Sequence, residues 1–97
     1  MNAPVVHRSI LKRHVALIEE KHPLTILGLL PRGAAAHVEG DDAVDLLAEK
    51  KVGLDLLRLC EVEAELGVLL GRPVGIVLKS GLESQGSTNL VELADPL

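Results

Sequence analysis

The residue types in this 97-residue chain that suggest metal or nucleophilic chemistry are four histidines, His7, His14, His22 and His37, and one cysteine, Cys60. His7 and His14 are seven apart and could share a helix face. The structural reading is preferred, with His14 on an apolar stripe and His22 at a helix end. Cys60 lies within an apolar segment, where a free thiol behaves as a small hydrophobe. A nucleophilic thiol needs an electropositive, accessible setting, and no Cys-His arrangement is readable here. Arg8, Lys12, Arg13 and Lys21 form a basic cluster that Glu19 and Glu20 partly balance. It reads as a solvated face, with docking to an acidic partner as the functional alternative.

The elements that must position such residues follow from apolar periodicity. Val6, Ile10, His14, Leu17 and Ile18 recur at helical spacing, which predicts an amphipathic helix over 6–22. Pro23 stops it. Leu24 to Leu30 is a short apolar run between prolines and suits a strand buried on both faces. An Ala-rich short helix is expected over 32–37, a turn at Gly40, and a second strand over 43–49. Leu54 to Leu70 is the longest helix candidate, with Arg58, Glu61 and Glu65 on one narrow polar face. Its apolar residues cover most of the rest, so it should be buried on more than one side, one of which could belong to a partner. Gly71 and Pro73 end it. A third strand follows at Val74–Leu78, then a polar, flexible stretch over 80–87 and a short helix over 89–94. The fold class expected is α/β (α+β), a small mixed sheet flanked by helices in one domain spanning 1–97.

Several motifs occur in a telling order. Strand one ends in Gly28-Leu29-Leu30-Pro31-Arg32-Gly33, and strand two contains Asp45-Leu46-Leu47-Ala48-Glu49. Val52-Gly53-Leu54-Asp55-Leu56 and Leu70-Gly71-Arg72-Pro73-Val74-Gly75-Ile76-Val77 follow. Together they resemble the minimal nucleotidyltransferases (MNT) of the DNA polymerase beta-like superfamily. That family's pattern is a strand, G-S-x-x-R-G, a short helix, D-x-D-L-L-V-E, a helix ending in L-L-G-R-P-V, and a strand with a third Asp. The resemblance spans roughly residues 10 to 82.

The resemblance implies a nucleotidyltransferase-like fold and specific roles. In the family, carboxylates hold two magnesium ions that clamp the attacking and leaving oxygens of ATP. The Gly-Ser turn holds the triphosphate at a helix N-terminus. Carried over, Gly28, Arg32 and Gly33 fall on the nucleotide-binding motif, and Asp45, with Asp42 in a shifted register, on the catalytic and metal positions. The departures are as telling: Leu29 replaces the Ser, Ala43 the first Asp, and Gly75 the third. One carboxylate cannot hold two magnesium ions against their hydration. The expectation is therefore a catalytically inactive member with no cofactor. The alternative is an active adenylyltransferase using Asp42 and Asp45 with Mg2+ and ATP.

The resemblance also implies a partner. Proteins of this kind are commonly the antitoxin half of prokaryotic HEPN–MNT toxin–antitoxin pairs, in which the HEPN partner is a helical ribonuclease. A member lacking the aspartates would act by binding, so a HEPN toxin or a second copy of the chain is the expected partner. A structural domain with no nucleotide role is the third reading.

Composition narrows the field. The chain has no Phe, Tyr or Trp, yet 47% of it is hydrophobic. Base-stacking platforms for single-stranded nucleic acid are thus excluded. A net charge of -4 argues against coating phosphates, so no direct nucleic-acid contact is expected. No apolar run approaches the roughly 20 residues needed to cross a bilayer. No signal-peptide pattern opens the chain, and one cysteine cannot form an internal disulfide, so the cytoplasm is the expected compartment.

Overall fold

The computed structural model describes residues 8–31, 33–35, 40, 42–85 and 89–97. The order is α1 (Arg8–Lys21), β1 (Leu24–Leu29), β2 (Val44–Lys50), α2 (Leu56–Leu70), β3 (Val74–Leu78), α3 (Lys79–Gln85), α4 (Asn89–Leu93) and β4 (Asp95–Pro96). The four strands form one sheet in the order β3-β2-β1-β4. β1 pairs antiparallel with β2 and β4, and β2 pairs parallel with β3. The expected mixed sheet is present.

The strands read as their positions demand. β2 lies inside the sheet, and Val44 to Ala48 are all buried. Alternation divides its side chains between two cores. Val44, Leu46 and Ala48 join Leu11, Val15, Ile18, Val62 and Leu66 beneath α1 and α2. Leu47 joins Leu30 and Leu82 on the opposite face, with Val91 and Ala94 of the C-terminal segment packed against them. Every buried hydrophobic among the described residues is aliphatic. A register shift between Ile26 and Gly28 marks a bulge in β1.

α2 is fixed at both ends. Asp55, in extended backbone, caps it by accepting the Arg58 amide at 2.8 Å. Gly71 closes it in the left-handed region at φ +66°, as the sequence anticipates. The carbonyl of Lys21, the last residue of α1, accepts from Arg58 Nη2 in the first turn of α2 at 3.1 Å. The two helices therefore run antiparallel across one face of the sheet.

Three expectations are corrected. Residues 80–85 are helical rather than flexible. Leu82, the one apolar residue of α3, is buried against Leu30 and Leu47, and a single apolar residue leaves no periodicity to read. Gly33 to Ala35 are turn and bend rather than helix, and 36–37 lie outside the described residues. The core stripe of α1 is Leu11, Val15 and Ile18, while Ile10 and Leu17 stand about half exposed. The apolar flank of that helix is wider than the sheet beneath it can cover.

Candidate functional site

The site is built around Asp45, the second residue of β2. It is 2% exposed and faces away from α1 and α2. Its carbonyl accepts the Leu30 amide at 2.8 Å. Its Oδ2 accepts the Gly33 amide at 2.7 Å. Both contacts come from the loop after β1, so one residue fixes that loop through main chain and side chain. Gly33 meets Asp45 at φ +85°, a conformation that favours glycine. Asp45 Oδ1 is buried and has no hydrogen-bond partner among the described residues.

The surroundings decide what this carboxylate can do. Parallel pairing sets Asp45 opposite Gly75 of β3. Gly75 is buried and carries no side chain. Ala43, two residues before Asp45, is half-buried and apolar. Asp42 lies in the preceding turn. Its carbonyl accepts from Arg72 Nε at 2.7 Å, and its Oδ1 lies 3.3 Å from where a Cβ on Gly40 would stand. No cluster of three or more His, Cys, Asp or Glu side chains suited to a metal occurs among the described residues. The described residues do not by themselves assemble the several oxygen ligands that a two-magnesium centre needs. Arg32 and Asp41 lie outside the described residues.

Gly28, placed by its motif at a nucleotide position, lies inside β1 beside β4. A Cβ there would meet the Asp95 carbonyl oxygen at 2.6 Å. Glycine at this position thus permits β4 to approach. The Arg8 guanidinium pairs with Asp95, and its Nη1 donates to the Pro96 carbonyl at 2.6 Å. The start of α1 thereby clasps β4.

The two described histidines, His14 and His22, belong to the α1 segment. His22 is buried just beyond α1, with Nε2 3.1 Å from Glu65 Oε1 of α2. His14 is half-buried on α1, and its Nδ1 is buried without a hydrogen-bond partner among the described residues. His7 and His37 lie outside the described residues. Cys60 is exposed rather than packed in a core.

Sequence reasoning missed two carboxylates that accept strand amides, one amide on the edge strand β3 and the other on β1 short of its two-residue pairing with β4. Glu19 of α1 accepts the Ile26 amide at 2.8 Å, and Glu63 of α2 accepts the Ile76 amide at 2.7 Å. Each occupies a backbone donor that its strand's neighbours leave free, which blunts the edge. The available signal was an acid on the flank of each helix beside the core stripe.

The helix layer carries an uncovered apolar surface. Leu56, Leu57, Val68 and Leu69 of α2 are exposed, as are Ile10 and Leu17 of α1. A shallow depression of about 420 Å³ lies between the helices, lined by Lys21, Ala64, Glu65, Val68 and Leu69.

The mixed sheet, the parallel β2–α2–β3 unit and the placement of Asp45 define a nucleotidyltransferase-like fold. The chain superposes on a solved structure of a provisionally assigned minimal nucleotidyltransferase with a TM-score of 0.70 and 26% identity, over 93% of this chain and 91% of that one. No family model matches the chain, and no curated protein matches it. No helix among the described residues is long and apolar enough to cross a membrane.

Proposed function

We propose that this chain is a non-catalytic nucleotidyltransferase-fold protein that acts by binding another protein, as antitoxin to a HEPN-type ribonuclease. The observation that carries the reading is the pairing of Asp45 with Gly75, with Ala43 two residues behind. Two of the three positions where the family's chemistry needs a carboxylate have none. The remaining carboxylate has one oxygen committed to the Gly33 amide. The exposed apolar helix layer supports binding as the mode of action, since contiguous exposed apolar surface marks interaction sites. The rival reading, an adenylyltransferase using Asp42 and Asp45 with Mg2+ and ATP, has one observation in its favour: the unpartnered Asp45 Oδ1.

The test is an RNA-cleavage assay with a HEPN-type ribonuclease encoded beside this chain. Stoichiometric inhibition without ATP or magnesium is expected. Inhibition that appears only with ATP and magnesium would overturn the reading.

A further inference from the structure

We draw no further inference here: the strongest candidate, the depression between α1 and α2 lined by Lys21, Ala64, Glu65, Val68 and Leu69, lies on the apolar face already read as the ribonuclease surface, and nothing in the structure shows what else covers it.

Discussion

The Gly33 amide donates to Asp45 Oδ2 at 2.7 Å, closing the loop after β1 onto the start of β2. In this chain the buried carboxylate acts as a fastener, and its neighbours on the sheet offer no second acid. Asp45→Ala leaves the Gly33 amide without its acceptor and should cost about 1–3 kcal/mol. Asp45→Asn keeps an acceptor oxygen and should lose clearly less. Urea denaturation of both variants checks this, and equal losses would contradict the fastener role.

Gly28 should tolerate no side chain without movement of β4. The obstruction is the Asp95 backbone carbonyl rather than a flexible side chain end. Gly28→Ala should cost about 1–3 kcal/mol, as overpacking does. The loss should be local, because β4 is short and exposed. Amide exchange should quicken at the C-terminal end of β1 before it changes in β2, which hydrogen-exchange mass spectrometry can follow.

The edge carboxylates should matter for solubility as well as stability. Glu19→Ala frees the Ile26 amide and Glu63→Ala the Ile76 amide. Each should cost about 1 kcal/mol. Light scattering on heating should rise in both, because an uncapped edge can pair with another chain. Glutamine at either position keeps an acceptor and should restore most of the effect.

Two neighbours on α2 should respond oppositely to the same truncation. Leu66 is fully buried beneath the sheet-facing side, and Val68 is 82% exposed on the outer side. Leu66→Ala should cost about 2–5 kcal/mol through the cavity it leaves. Val68→Ala should stay within about 0.5 kcal/mol. Thermal unfolding separates them.

Much of the fold was legible because its signals are local. Pro23, Gly71 and Pro73 bracket the elements, and the runs at β1, β2 and β3 stand within a residue of their observed bounds. The mixed sheet followed from the short connection around Gly40. What escaped depends on tertiary contact. α3 has Leu82 as its one apolar residue, packed on Leu30 and Leu47, and β4 is two residues, one of them proline. Its pairing with β1 arises from the bare face of Gly28 and the clasp by Arg8. Ile10 and Leu17 looked like core by spacing, but only the width of the sheet determines how much of a helix flank is covered. At the site, the motifs brought Gly33 and Asp45 to attention without revealing that they bond to each other. Gly75, set by the motif comparison at the third aspartate, pairs with Asp45 across β2 and β3.

The most direct test of the central claim, action by binding without nucleotide transfer, is incubation of the chain with labelled ATP, magnesium and its ribonuclease partner. The account predicts no label on either protein while the ribonuclease remains inhibited. Label transferred to the partner by the wild-type chain, and lost with Asp45→Ala, would contradict it.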